Sequence, residues 1–248
     1  TIDAIGSDVD GALLGLRVVG QTGPSLGAHA EYVCVAWRGT VAPIGPPWSD
    51  AEAVAVTDGA MTALPFLREH AHLRAGQRLL VNGASGSVGS AAVQIGASIG
   101  AHVTGVCSTA NVDLVASLGA DVVVDHTATD FTRDLGAQRF DVVFDAVGTR
   151  RYRDCRRVLT PAGRYLTTVP TPGALWHTVS TAMPGGRRAK IAFTGLSMSR
   201  ERLRDVLELA SSGALRPVID RTYTLDEIGE AHRYVDTRRK RGTVVVTL

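Results

Sequence analysis

Cysteine is sparse in this 248-residue chain: Cys34, Cys107 and Cys155 stand far apart, with no C-x-x-C spacing among them. That excludes a disulfide framework and a cysteine-rich zinc site, and it suits a reducing compartment. Lysine is scarcer still. Lys190 and Lys240 are the only two, and the formal net charge is just +2. So weak a field gives no indication of a nucleic-acid or acidic-membrane partner. The arginine-rich stretches Arg150–Arg157 and Arg238-Arg-Lys-Arg241 read as solvated faces. No apolar run is long enough to span a bilayer, and the opening residues lack the basic-then-apolar pattern of a leader peptide, so the cytoplasm is the expected compartment. Neither lysine follows a tyrosine by four residues, which removes a Tyr-x-x-x-Lys proton relay, and no Gly-x-Ser-x-Gly elbow points to hydrolysis.

What is present is an ordinary globular composition, 45% hydrophobic and 20% charged, with room for one large or two modest domains. The most informative stretch is Arg78-Leu-Leu-Val-Asn-Gly-Ala-Ser-Gly-Ser-Val-Gly89. It reads as a short apolar strand that breaks at a glycine turn and opens into a helix carrying Val88, Ala91, Ala92, Ile95 and Ile99 on one face, up to Gly100. That order places backbone N–H groups and the positive end of a helix where a diphosphate can sit. Gly86 lets the main chain approach the phosphates, Gly89 lets helix and strand pack closely, and Ala84 stands where the usual dinucleotide fingerprint has its first glycine. An NAD site usually places an acid about 20 residues further on to hold the ribose 2′-hydroxyl. Here that point falls on Cys107-Ser-Thr-Ala-Asn111, which has none. Ser108, Thr109 and Asn111 can donate to a 2′-phosphate, so NADPH is favoured over NADH. No Arg or Lys lies in the loop, which leaves His126, at the end of the next strand, as the nearest candidate cation.

Strands are predicted at Leu16–Gly20 and Ala30–Ala36, then at Arg78–Asn82, His102–Cys107, Asp121–Asp125, Asp141–Val147, Arg164–Val169 and Ala189–Thr194, with a closing strand at Thr243–Leu248. The middle six, separated by helical or loop segments, fit a doubly wound parallel Rossmann sheet. Capping boxes at Ser49-Asp-Ala-Glu52 and Thr224-Leu-Asp-Glu227 open helices, and further helices are expected at Leu175–Met183 and Ser199–Ser212.

In order along the chain come Gly6-Ser-Asp-Val9, Gly27-Ala-His-Ala-Glu-Tyr32, Met61-Thr-Ala-Leu64, Asn82–Gly89, Ser117-Leu-Gly-Ala-Asp121, Phe144-Asp-Ala-Val-Gly148, Leu159-Thr-Pro-Ala-Gly-Arg164 and Ile228-Gly-Glu-Ala-His232. This ordered set resembles the medium-chain dehydrogenase/reductase superfamily, in its zinc-independent, quinone oxidoreductase-like branch. The resemblance implies a partial GroES-like β-barrel catalytic domain over residues 1–52, a Rossmann cofactor domain over 53–196 and a return to the catalytic domain over 197–248. It also implies that the opening part of the family's chain is lacking here. The reaction it implies is metal-free hydride transfer from NADPH to a quinone or an α,β-unsaturated carbonyl, in a homodimer formed through the edge strand Ala189–Thr194.

By the same resemblance Thr62 lies near the nicotinamide and the phosphates, and Ala84, Gly86, Ser87 and Val88 line the diphosphate. Ser108, Thr109, Asn111 and His126 hold the adenosine end; Asn111 replaces a residue that is often basic in this branch. Ala146, Val147 and Thr168 support the nicotinamide ribose and carboxamide, and Arg238 reaches the cofactor from the C-terminal segment or serves as a surface residue. Asp58 falls where zinc-dependent relatives place a late metal ligand, and is read as a helix-terminal residue beside the cleft. His70, His72 and His232 read as surface histidines, and no catalytic residue is assigned. A cofactor-binding protein without turnover is the alternative.

Overall fold

The computed structural model describes residues 1–22, 27–181, 187–191 and 199–248. Two short strands come first, β1 (Val18–Gly20) and β2 (Val41–Pro43), paired antiparallel. Residues 30–36, expected as a strand, form none. Tyr32, Val33 and Val35 are exposed, and no described strand pairs with them. Favourable β-propensity does not make a strand where no partner completes the hydrogen-bond ladder.

Helix α1 (Asp50–Pro65) begins at the expected capping box: Ser49 Oγ accepts from the Glu52 amide at 3.2 Å, and the Glu52 carboxylate accepts from the Ser49 amide at 2.9 Å. Two of the four orphan donors at the amino end are thereby satisfied. The helix passes into a π-helical turn at Phe66–His70. Asp58 therefore lies in the middle of α1 and not at its end, because the run Ala53–Ala63 carries no breaking residue other than Gly59. His70 sets its ring edge against Phe66, His72 is exposed, and His232 is an exposed residue whose ring lies 5.7 Å from that of His29.

The centre is a six-stranded, wholly parallel sheet in the order β5-β4-β3-β6-β7-β8. Its strands are β3 (Arg78–Asn82), β4 (His102–Cys107), β5 (Val122–Asp125), β6 (Phe140–Asp145), β7 (Leu159–Thr167) and β8 (Arg188–Ile191). Intervening helices are α2 (Ser87–Ile99), α3 (Val112–Ser117), α4 (Tyr152–Cys155) and α5 (Pro172–Ser180). The chain leaves β3 toward one side of the sheet and returns at β6 on the other, so the strand order reverses between them. This is the Rossmann-like, doubly wound arrangement, which opens a crevice at the carboxyl ends of the central strands. Leu79 and Val81 face a core cluster with α1, α2 and α6 (Arg200–Ser211), whereas Leu80 and Val143 face a second cluster around Phe131, Phe140 and Tyr152. Burial on both faces explains why these strands read as continuous apolar runs.

β7 starts at Leu159, five residues before the expected Arg164, and β8 begins at Arg188; residues 192–194 of the expected sixth strand lie outside the described residues. The chain closes with β9 (Ile219–Thr224), α7 (Ile228–Asp236) and β10 (Thr243–Thr247), β9 and β10 pairing parallel.

α1 and α2 meet at Gly59, where an added Cβ would lie 2.1 Å from the Ser87 carbonyl oxygen. Gly59→Ala raises helix propensity by about 1 kcal/mol, whereas forcing the helices apart costs about 1–3 kcal/mol or more. The expected net outcome in urea unfolding is a loss of stability, a sign opposite to that of the same substitution on an exposed helix face.

Candidate functional site

The crevice is built around the turn from β3 to α2. Gly83 adopts φ +80°, and its amide and that of Ala84 both donate to the Val106 carbonyl, at 3.0 and 2.9 Å. The left-handed residue is thus Gly83, one position before Ala84, while Ala84 is fully buried beneath the turn. A Cβ on Gly89 would come within 2.0 Å of the Gly83 oxygen, so only glycine lets α2 start this close to β3. Gly86 differs. Its φ is −80°, and a Cβ there would meet only the Gly83 oxygen, at an ordinary 3.6 Å. Neither backbone strain nor protein packing asks for glycine at this position; the space its missing side chain leaves is open.

Gly86 caps α2 without a side-chain hydrogen bond, so the first-turn amides of Val88 and Gly89 point beyond the helix end without i−4 partners, while the Ser87 amide faces the Gly242 carbonyl across the Gly86–Gly242 bridge. The Ser87 hydroxyl does not join them: it donates to Asp58 Oδ2 at 2.6 Å. Thr243 Oγ1 in turn donates to Ser87 Oγ at 3.0 Å. Asp58, exposed on α1, thereby anchors both α2 and β10 at this point, and Thr62 follows one turn later, half-buried.

On the other side of the switch point, Asp145 ends β6 fully buried. Its carboxylate accepts from the amides of Val147 (3.2 Å), Gly148 (2.9 Å) and Arg150 (3.2 Å), from Asn82 Nδ2 (2.8 Å) and from the Tyr165 hydroxyl (3.1 Å). These bonds set the loop Ala146–Gly148 against the end of β3. There Val147 Cγ2 occupies the place a Gly83 side chain would need, 2.1 Å from its ideal Cβ. Thr168 Oγ1 closes the row by donating to the Ala146 carbonyl at 3.3 Å. The structure thus brings Ala146, Val147 and Thr168 together next to Gly83. The Asn82–Asp145 pair was missed from sequence, where its one signal is a polar residue closing each of two apolar strands.

At the end of β4, Asn111 Nδ2 donates to Ser85 Oγ and to Ser108 Oγ, both at 3.1 Å. Thr109 Oγ1 donates to Asp125 Oδ2 at 2.5 Å, and Thr127 donates to Oδ1 through both its amide (2.9 Å) and its hydroxyl (2.7 Å). The side chains expected to face a 2′-phosphate therefore already have partners within the protein. A carboxylate that is absent from residues 107–111 arrives beside them from the end of β5. Its bonds to the Thr109 and Thr127 hydroxyls hold Asp125 below the usual carboxylate range. The His126 side chain is exposed. Arg238 is exposed too, with φ +58°, in a segment fastened to the loop where the Gly242 amide donates to the Ser85 carbonyl at 2.7 Å.

None of the nearby thiols is poised as a nucleophile. Burial, helped by the Asp125 charge, pushes Cys107 up to about 11, and burial pushes Cys155 up further. Burial and the neighbouring Asp145 likewise keep the Tyr165 phenol protonated. Among the described residues no group of three or more His, Cys, Asp or Glu side chains converges as a metal site. No helix among them is long and apolar enough to cross a membrane.

Sheet order, glycine turn and open helix end define the class: a doubly wound α/β protein with its crevice at the switch point. A family profile described as zinc-binding dehydrogenase matches residues 118–246. The chain belongs to that family, within the medium-chain dehydrogenase/reductase superfamily. It is 32% identical over 234 residues to the trans-enoyl reductase pgmF of Aspergillus terreus, covering 90% of this chain and 65% of that protein. It is 34% identical over 191 residues to the mitochondrial NAD(P)H oxidoreductase RTN4IP1 of Mus musculus, covering 70% of this chain and 48% of that one. The chain therefore spans less than two thirds of the length of these curated relatives. Among solved structures, the quinone oxidoreductase from Coxiella burnetii superposes with a TM-score of 0.86 at 28% identity, covering 98% of this chain and 75% of that one.

Asp145→Asn replaces an acceptor-only group by one that turns an N–H toward backbone N–H donors. The expected loss is about 2–3 kcal/mol, since buried donors are left unmatched. Urea unfolding measures it, and faster amide exchange at Val147 and Gly148 is expected to accompany it.

Proposed function

We propose that this chain is the core of a reductase that transfers hydride from a nicotinamide coenzyme to a conjugated acceptor, a quinone or an α,β-unsaturated carbonyl. The observation that carries this reading is the unfilled space at Gly86 in front of the open amino end of α2, beside the switch point of the sheet. A diphosphate suits that place, because free first-turn amides and the helix dipole both favour an anion. When bound, the coenzyme supplies the hydride; the chain's residues bind, orient and exclude water.

In this reading residues 53–196 form the cofactor domain, with 1–52 and 197–248 on the catalytic side of the crevice. Gly86, Ser87 and Val88 offer backbone to the diphosphate over Ala84, and Thr62 stands near the phosphates and nicotinamide. Ala146, Val147 and Thr168 form the wall for the nicotinamide ribose and carboxamide. Ser108, Thr109, Asn111 and His126 border the adenosine. NADPH is proposed over NADH. Asp125, the acid that the end of β5 brings beside Thr109, is turned into Thr109 and Thr127, and the basic segment containing Arg238 is tied to Ser85. The names of the relatives, a trans-enoyl reductase and a quinone oxidoreductase, support the acceptor class. A conjugated acceptor is electron-poor enough to take hydride without a Lewis acid, so metal-free chemistry is part of the proposal. Positioning then supplies most of the rate enhancement. The proposal extends to a homodimer through β8, the strand at one edge of the sheet, in the cytoplasm.

Steady-state oxidation of NADPH with a panel of quinones and enals, run beside a binding titration, tests this function. Turnover with at least one class is the expected result. Binding without turnover across the panel identifies a cofactor-binding protein instead, and no binding of either coenzyme overturns the proposal. Gly86→Ala sharpens the test: its stability cost is expected to stay near 1 kcal/mol, as for an unfavourable N-cap. Its coenzyme affinity is expected to fall at least about tenfold, which corresponds to about 1.4 kcal/mol.

A further inference from the structure

The basic run at the C-terminal end is not uniform. Arg238, Arg239 and Arg241 are exposed, whereas Lys240 is half-buried. Lys240 Nζ donates to the Gly242 carbonyl at 2.7 Å. Among the described residues no carboxylate lies within ion-pairing distance of it, 4 Å. Asp58 and Asp220 act on it only from further off, and burial holds its pKa below the ordinary lysine value. Each has other partners: Asp58 accepts from Ser87, while Asp220 accepts from the Tyr234 hydroxyl at 2.6 Å and the Arg241 amide at 2.8 Å. A partly desolvated ammonium without a contacting counter-ion is unfavourable unless something else neutralises it.

Its location says what that something is. Gly242, the acceptor for Lys240, donates its own amide to the Ser85 carbonyl at 2.7 Å and forms a bridge with Gly86. The next residue, Thr243, bonds Ser87 at 3.0 Å. Lys240 is thus stitched, through two residues, to the same three-residue stretch, Ser85–Ser87, that forms the open helix end. A Cβ on Gly242 would lie 2.1 Å from the Val218 oxygen, so the stitch admits no side chain and holds its place.

We propose that Lys240 is the protein's cationic contact for the diphosphate of the nicotinamide coenzyme, reaching the α2 end from the C-terminal segment. This rests on the proposed coenzyme site. It adds a side-chain cation to the backbone amides that the α2 end offers the diphosphate.

The test is calorimetric titration of the wild type, Lys240→Gln and Lys240→Arg with NADPH, NADH, ADP and adenosine. Lys240→Gln is expected to weaken the three diphosphate ligands by a common factor of about tenfold, the size of one charge-assisted contact, to leave adenosine unchanged, and to flatten the salt dependence. Lys240→Arg restores most of the affinity. Should Lys240→Gln fail to fold, acetylation of the wild type read by mass spectrometry serves instead. With only two lysines in the chain, protection of Lys240 by ADP and not by adenosine is read directly. Equal affinities in wild type and Lys240→Gln, or equal labelling with and without ADP, overturn the assignment and leave the coenzyme site standing. A wild type that binds none of the four ligands overturns the coenzyme site itself.

Discussion

Two backbone approaches that only hydrogen atoms permit hold the crevice together. At Gly89 the start of α2 lies against the Gly83 carbonyl, and at Gly59 the middle of α1 lies against the Ser87 carbonyl. Both contacts fall on the same five residues, 83–87, one at each end of the stretch. Interiors are close-packed and transmit displacement, so a shift of either helix moves the amides at the amino end of α2. The stitch through Gly242 adds a third boundary from the C-terminal segment. The loop that lines the crevice is therefore positioned by rigid elements, not by its own turn alone.

Several polar side chains around the crevice follow one pattern: a hydroxyl or amide donates to a carboxylate, or to a neighbour, from another element. Ser87 meets Asp58, Thr109 meets Asp125, Asn82 meets Asp145, and Asn111 meets Ser85. Such pairs satisfy buried donors and fix loop geometry, and they also remove those side chains from the pool free to meet a ligand. What remains directed outward is backbone: the first-turn amides of α2. That distribution suits a ligand recognised by its phosphates and its shape. It suits poorly a ligand whose recognition needs many side-chain donors.

Much of this was legible beforehand, for identifiable reasons. The bounds of β3 and β4 matched the sequence reading to the residue, because both strands are buried on two faces and end at glycine or a polar turn. The capping box at Ser49 located the start of α1, since its pattern is local. Non-local features were not legible. β7 begins early because Leu159 pairs with Phe140 ahead of a register shift, despite the intervening Pro161 and Gly163. Residues 30–36 carry strand-forming residues but have no partner among the described strands. Asp58 moved to mid-helix because an alanine-rich run extends α1 further than its motif suggested. Asn82 and Tyr165 reach Asp145 from β3 and β7, and the Gly242 amide reaches Ser85 from the C-terminal segment, and no spacing rule joins these partners.

The same geometry bears on how a reduction would proceed under the proposed function. The buried thiols of Cys107, at the end of β4, and Cys155, at the end of α4, and the phenol of Tyr165, within β7, are all held in their neutral forms by burial. Each is also a weaker acid than usual, so none is suited to deliver a proton quickly at neutral pH. Asp145 is enclosed by five donors and holds the loop as an acceptor. A hydride acceptor that must be protonated at once by a strong acid would be poorly served by this set. A quinone or an enone, whose product anion is delocalised and can take its proton from water, places no such demand. Under the proposed function, alignment of donor and acceptor would accordingly matter more than acid or base catalysis by Cys107, Cys155, Tyr165 or Asp145.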